Sequence, residues 1–361
     1  MMFPAVYYLL VVAISFLFVL VIMPSVIRVA QQYQLFDDHT LSRKDHGYGI
    51  PRLGGVAFFI SIVLTSLFLI AKDATAMPMY ELYAAGTIMF MAGLKDDLSG
   101  MRCRSKLAVQ AIVSLIITVP GNIRITNLHG VFNISQLSYL ESVFFSAFVI
   151  MFIINSFNLI DGIDGLAGTL GVIACGAFAY YFMLAGEVSL AKLALSAAAA
   201  LLAFLGYNYS PSKVFMGDCG SLVLGLICAV FAIKFIAINE ASSFYSIHAA
   251  PAFAVAVLIV PTFDTLSVIA IRIANKKSPF KPDRNHIHHR LLRLGLSHIQ
   301  TTSILAAVNI VFIALAFVLK EADNQLLLLL FAGIFIVLNA CLTLVLHLKT
   351  KQAFPAGNLI S

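Results

Sequence analysis

Charge is scarce in this sequence. Asp, Glu, Lys and Arg make up 11% of its 361 residues, against about 25% in an average soluble domain. Cysteine is scarce as well, five residues with no C-x-x-C pair, which excludes a disulfide scaffold and a thiolate metal cage. We expect Cys103, Cys175, Cys219, Cys228 and Cys341 to be reduced, packed thiols. No internal repeat, low-complexity tract or long polar domain interrupts the chain. The first apolar run, Phe3–Val29, lacks a basic segment before it and is too long for a signal peptide. It reads as an uncleaved first span.

What the sequence has in quantity is apolar side chain, 61% of the total. One soluble core cannot absorb that much, because such cores stop growing at roughly 250–300 residues. At about 20 apolar residues per bilayer crossing, the apolar content suffices for about eleven helices. Apolar runs broken by charge, Gly or Pro fall at 4–30, 53–71, 79–94, 107–119, 141–159, 165–185, 190–206, 221–238, 249–274, 302–319 and 326–347. The third and fourth are short. The expected fold is therefore an all-α integral membrane protein, a single polytopic domain over 1–361 with about eleven transmembrane helices.

Lys and Arg then set the orientation. With eleven spans, five of the 23 basic residues (Lys72, Arg124, Lys192, Lys234, Lys320) fall on one side and the other eighteen on the opposite side. The positive-inside rule puts the N-terminus outside and the C-terminus in the cytoplasm. The expected site loops, 31–52, 95–106, 159–165, 207–220 and 275–301, share the basic side.

Carboxylates gather on that side as well, and acidic groups at a membrane boundary are costly unless they serve a purpose. Their plainest purpose would be to neutralise the basic residues around them. Gly93-Leu94-Lys95-Asp96-Asp97 ends one span with two adjacent acids, suited to a cation site or to a base raised by its neighbour. Lys106 follows, placed to meet an anionic group at the membrane surface. In the run 155–168, NSFNLIDGIDGLAG, a helix would carry Asn158, Asp161 and Asp164 on one face. Three such oxygens suit Mg²⁺ or sugar hydroxyls, and the bland alternative is a polar cap for the next span. Phe215-Met216-Gly217-Asp218-Cys219-Gly220-Ser221 opens another helix, whose free N–H groups are a natural phosphate seat. Asp218 there either caps the helix or holds a metal. Asn208 and Phe215 offer an amide and an aromatic face to a flat base.

In the long basic loop, Pro282-Asp283-Arg284-Asn285-His286-Ile287-His288-His289-Arg290 lacks the extra ligands a zinc site would need. Histidines beside Arg284 and Arg290 suit a diphosphate; an anionic lipid surface is the plainer partner. Asp264, after Pro261, sits well inside a span as a helix–helix contact or a support for the site.

Taken together, the blocks PRLGG (51–55), GLKDD (93–97), NSFNLIDGIDGLAG (155–168), KVFMGDCGS (213–221), PTFD (261–264) and SPFKPDRNHIHHRL (278–291) resemble the polyprenyl-phosphate N-acetylhexosamine-1-phosphate transferases. The HIHHR run looks like the bacterial branch that passes GlcNAc-1-phosphate from UDP-GlcNAc to undecaprenyl phosphate, releasing UMP. The branch using UDP-MurNAc-pentapeptide, the alternative within the family, carries three consecutive histidines, and Ile287 breaks that run here. Residues before PRLGG match poorly, which leaves His46 without a role.

The resemblance implies catalytic Asp96, Asp97 and Asp161, with the acidic pair handling the lipid phosphate. It implies Asp218 and Asn158 at a Mg²⁺, or a Mn²⁺ in its place. It assigns substrate binding to Lys106, Asn158, Asp164, Asn208, Phe215, Arg284, His286, His288, His289 and Arg290. The expected partners are both substrates, the bilayer and a second copy of the chain, with no nucleic acid. The expected location is the bacterial cytoplasmic (inner) membrane, with the active site facing the cytoplasm. A secondary transporter would place its polar residues near the midplane of repeated halves, and a lipid-binding scaffold would not need the carboxylates.

Overall fold

The computed structural model describes residues 4–36, 49–70, 80–241, 247–276 and 285–353. Among them there is no β-strand, only two isolated bridges, Phe36 to Pro51 and Asn127 to Gln136. The helices are α1 (Pro4–Gln32), α2 (Gly54–Thr65, continued by a π-helical turn Ser66–Ile70), α3 (Tyr80–Ser99), α4 (Cys103–Thr118), α5 (Tyr139–Ile160), α6 (Leu166–Leu184) and α7 (Val188–Asn208). They continue as α8 (Asp218–Ala241), α9 (Ala250–Val257), α10 (Ile259–Ala274), α11 (Ile287–Arg293), α12 (His298–Val318) and α13 (Asn324–Ala353).

Every apolar run is helical, but not every run is one span. Among the described residues, seven helices are long and apolar enough to cross a membrane, or eight if α9 and α10 form one bent span. The π-extended α2 is too short to pass, α4 has only 16 residues, and α3 carries Lys95, Asp96 and Asp97 in its last turns. The chain is an all-helical, multi-pass membrane protein. The run 249–274 is broken at Leu258, where α9 and α10 meet at 83°. In lipid a break must have its backbone groups satisfied from within. Asn309 of α12 donates its amide to Val257 O at 3.1 Å, and Leu258 N–H turns to Val255 O.

Helix α8 is the hub, packed by α2, α3, α5, α6 and α9. Of its apolar stretch 83% is enclosed, against 11% for α13, which faces outward. Lipid tails are as apolar as leucine, so close packing rather than water exclusion holds such helices together. Phe178 and Phe182 of α6 interlock with Phe231 of α8 at ring separations of 6.3 and 5.7 Å. Alanine-rich α7 lets α1, α2 and α6 approach closely. Ser15, Ser61 and Ser196 close a buried polar knot among α1, α2 and α7, at 2.7–3.1 Å.

The expected loops are shorter than their sequence suggests. Helix α3 runs on to Ser99 and α4 starts at Cys103, so Asp96, Asp97 and Lys106 are helical. The segment 275–301 contains α11 and the start of α12, while residues 277–284 of it lie outside the described residues. All five cysteines are free; Cys175, Cys219 and Cys228 are buried as expected, whereas Cys103 and Cys341 are exposed.

Candidate active site

The segments before α2 and α8 are laced together. Phe215 N–H donates to Pro51 O, and Gly54 and Gly55 N–H donate to Phe215 O and Met216 O, at 2.8–2.9 Å. Backbones then touch where side chains are missing. A Cβ on Gly55 would lie 2.1 Å from Gly220 N, and one on Gly93 would lie 2.6 Å from the Asp218 carbonyl. Glycine is required at both places because the ends of α2 and α3 press directly on the first turn of α8.

One turn past Gly93, Asp97 reaches the α8 N-terminus. Its Oδ1 accepts Asp218 N–H at 2.8 Å and its Oδ2 accepts Cys219 N–H at 2.9 Å. The helix start expected as a phosphate seat is thus already capped by a carboxylate from α3, which satisfies its free donors and its dipole. Burial pushes Asp97 up to about 6 even though both N–H bonds favour the charged form.

The Asp218 side chain accepts from Asn158 Nδ2 at 2.7 Å and from the Lys106 ammonium. Lys106 also donates to Asp96 Oδ2 at 3.0 Å and Asn158 Oδ1 at 3.2 Å. One turn away on the same two helices, Gln110 and Asn155 exchange amide hydrogen bonds, fixing the register of α4 on α5. Four helices, α3, α4, α5 and α8, thereby converge on one polar cluster. Among the described residues no three or more His, Cys, Asp or Glu form a metal cage. The cluster is two carboxylates, an amide oxygen and a lysine standing where a cation would. Hard oxygens of this kind fit Mg²⁺.

Asn158, Asp161 and Asp164 do not share a helical face. Helix α5 ends at Ile160, Asp161 is its C-terminal cap, and a turn follows with Gly165 at φ +77°. Asn208 holds that turn, accepting Gly165 N–H and donating to Val214 O, both at 2.9 Å. Burial, with the negative charges of Asp218 and Asp97, pushes Asp161 up to about 8. Burial acts on Asp164 the same way, but His298 at 3.1 Å and a Ser212 hydroxyl bond win, and its pKa is lowered.

Arg52, Asp96, Asp97, Asp161, Asp164, Asn208, Phe215, Asp218 and His298, with Gly162, Ile163 and Gly217, line one cavity of about 440 Å³. Lys106 and Asn158 join it through Asp96 and Asp218. The histidine block does not line it. His286 Nδ1 lies 2.8 Å from Asp264 Oδ2, and Asp264 Oδ1 accepts Ile287 N–H at 2.8 Å, so Asp264 is a support that starts α11. Arg290, expected at the diphosphate, instead donates to Asn339 and Thr343 of α13.

His288 is 1% exposed, and both its ring nitrogens lack partners. It packs edge-on against Gly162, where a Cβ would stand 2.3 Å from Nε2, and its ring centre is 4.2 Å from that of His289. Burial first, then His289, His286 and His298, lower its pKa to about 2. The block therefore backs the 161–164 turn instead of facing the cavity. Arg284 lies outside the described residues.

Arg52 and His298 have no role in the sequence reading. Arg52 sits inside the PRLGG block, a signal that was available. His298 is the first residue of α12, inside the capping box Ser297-x-x-Gln300, whose bonds at 2.9 and 3.2 Å mark where the helix begins.

Apolar helices around a cavity lined by five carboxylates, Arg52 and His298 define a multi-pass membrane protein with a charged cavity. Residues 79–236 match the family described as Glycosyl transferase family 4. The chain is 34% identical over 313 residues to a probable undecaprenyl-phosphate N-acetylglucosaminyl 1-phosphate transferase of Bacillus subtilis, covering 86% of this chain and 84% of that protein. It is 30% identical to a decaprenyl-phosphate N-acetylglucosaminephosphotransferase of Mycolicibacterium smegmatis, covering 71% and 68%. It is 28% identical to an undecaprenyl-phosphate alpha-N-acetylglucosaminyl 1-phosphate transferase of Escherichia coli K12, covering 75% and 72%. The chain belongs to the polyprenyl-phosphate N-acetylglucosamine-1-phosphate transferase family.

Proposed function

We propose that this protein transfers GlcNAc-1-phosphate from UDP-GlcNAc to undecaprenyl phosphate, giving a lipid diphosphate-linked sugar and UMP. The observation that carries the proposal is the convergence of Asp96, Lys106, Asn158 and Asp218 at one cavity, in a chain of this family.

An oxygen of the acceptor phosphate attacks the phosphorus that bears the sugar, and the bond from that phosphorus to the UMP oxygen breaks. The second pKa of a phosphate monoester is about 6, so the nucleophile is largely dianionic at neutral pH and needs little help from a base. Asp97, expected to share that task, has both oxygens committed to α8, and its part is to hold Asp218 in place. Asp218 and Asn158, with Asp96, would hold Mg²⁺ or Mn²⁺, which when bound supplies charge neutralisation for the donor diphosphate. Lys106 supplies a positive charge beside the same groups. Burial, with the charges of Asp218 and Asp97, raises Asp161, and in its protonated form it would donate a hydrogen bond to a phosphate oxygen. Phe215, at the cavity wall, would offer an aromatic face to a uracil ring, while the Asn208 amide, bonded to Gly165 N–H and Val214 O, holds the turn beside it. Charge spreads over equatorial oxygens in the transition state, so positioning and electrostatics carry the rate.

The same reading takes all eleven apolar helices as membrane-embedded, the N-terminus outside, and the C-terminus and cavity on the cytoplasmic side of the bacterial inner membrane. The sequence supports it: with eleven spans, eighteen of the 23 basic residues share one side of the membrane.

The test is purified protein with UDP-GlcNAc, undecaprenyl phosphate and Mg²⁺, followed by UMP release. Asp218→Asn should fold and lose at least 100-fold in turnover, on the order of 3 kcal/mol of transition-state stabilisation. Turnover within threefold of wild type would reduce Asp218 to a structural polar group.

A further inference from the structure

Lys106 occupies the point on which three hard oxygens converge. Its ammonium donates to Asp96 Oδ2 at 3.0 Å, Asn158 Oδ1 at 3.2 Å and Asp218 Oδ2. The three acceptors come from α3, α5 and α8, and the lysine from α4. Its side chain is only 17% exposed, so this is no loose surface pair. An ammonium has three donors and no acceptor, and all three are engaged here. A doubly charged cation held by the same oxygens cannot share that point with an ammonium, because like charges at contact distance repel strongly inside a protein.

We infer that Lys106 is a built-in competitor for the metal: the cation enters by displacing the ammonium from Asp96, Asn158 and Asp218. The inference rests on the proposed metal role of Asp218 and Asn158. Two consequences follow. Without metal, the lysine keeps the ends of α3, α5 and α8 together, so the fold does not depend on the cation. And an anion that draws the ammonium away strengthens metal binding. A phosphate monoester has the matching chemistry, a compact dianion that pairs with a point charge. Metal and acceptor phosphate then raise each other's affinity by the same factor, because coupling between sites is reciprocal.

The experiment is a Mn²⁺ titration of the purified full chain in detergent, without donor, read by electron paramagnetic resonance. Lys106→Met and Lys106→Gln should bind Mn²⁺ about tenfold more tightly than wild type. Lys95→Gln removes the same charge from an exposed position beside Asp96 and should change the affinity less than about twofold. Geranyl phosphate should tighten Mn²⁺ binding in wild type and leave it unaltered in Lys106→Met. Chelation should lower the melting temperature of Lys106→Met and spare that of wild type. The competitor role is overturned if the Lys106 variants bind no more tightly than wild type, or gain no more than Lys95→Gln. Binding that Asp218→Asn fails to weaken would contradict the metal site itself.

Discussion

Asp161 is the carboxylate of the cavity whose chemistry departs furthest from its reference state. Its carboxyl is normal near 3.8 and is pushed up to about 8 in the folded protein. Between those values the folded state holds a proton that the unfolded chain has lost, so stability falls as pH rises through that window and stays reduced above it. Asp161→Asn removes the penalty. Measured in chelator, the melting temperature of the variant minus that of wild type should grow by about 3 °C or more between pH 5 and pH 8.5. A flat difference would mean that Asp161 is ordinarily ionised.

Also at this scale, the 161–164 turn was legible as chemistry but not as shape. The spacing of Asn158, Asp161 and Asp164 fits a helical face, yet the helix stops at Ile160. What the spacing could not carry is the contact that needs Gly162, an imidazole from a segment more than a hundred residues away. The depressed basicity of His288 follows from burial before the neighbouring rings, and burial is a property of the fold.

Among elements, the break between α9 and α10 has the clearest energetic signature. Pro261 marks it in the sequence, but hydropathy reads 249–274 as one span because both halves are apolar. The break carries Asp264 to the start of α11, where it accepts Ile287 N–H and pairs with His286. Asn309 satisfies the buried Val257 carbonyl that the break leaves without a helical partner. Asn309→Leu should therefore cost about 0.6–1.7 kcal/mol, the range for hydrogen bonds between membrane helices. The measurement is denaturant unfolding in mixed micelles, and an unchanged midpoint would show that another group satisfies the carbonyl. Asp97 belongs to this scale too. By sequence it reads as a base raised by its neighbour, because adjacent carboxylates share their titration, whereas in the structure the close packing of α3 on α8 makes it a cap.

For the whole molecule, the apolar runs and the basic-residue asymmetry were legible because both are one-dimensional patterns. The hub position of α8 was not, since it depends on glycine contacts between α2, α3 and α8. Orientation remains testable from outside the fold. Single cysteines at Gly100 and Ser212, in a background lacking the five native ones, should react with a membrane-impermeant maleimide only after the cytoplasmic side is opened. Cysteines at Asn127 and Glu321 should react in intact cells. The reverse pattern would contradict the assigned topology.

The central claim is that a phosphorus atom moves with the sugar, and labelling the donor tests it most directly. UDP-GlcNAc carrying radioactive phosphorus only at the sugar-bearing phosphate should deliver its label to the lipid fraction, leaving unlabelled UMP in step with the lipid product. Label recovered in UDP, with unlabelled sugar on the lipid, would show that the sugar alone is transferred and would contradict the account.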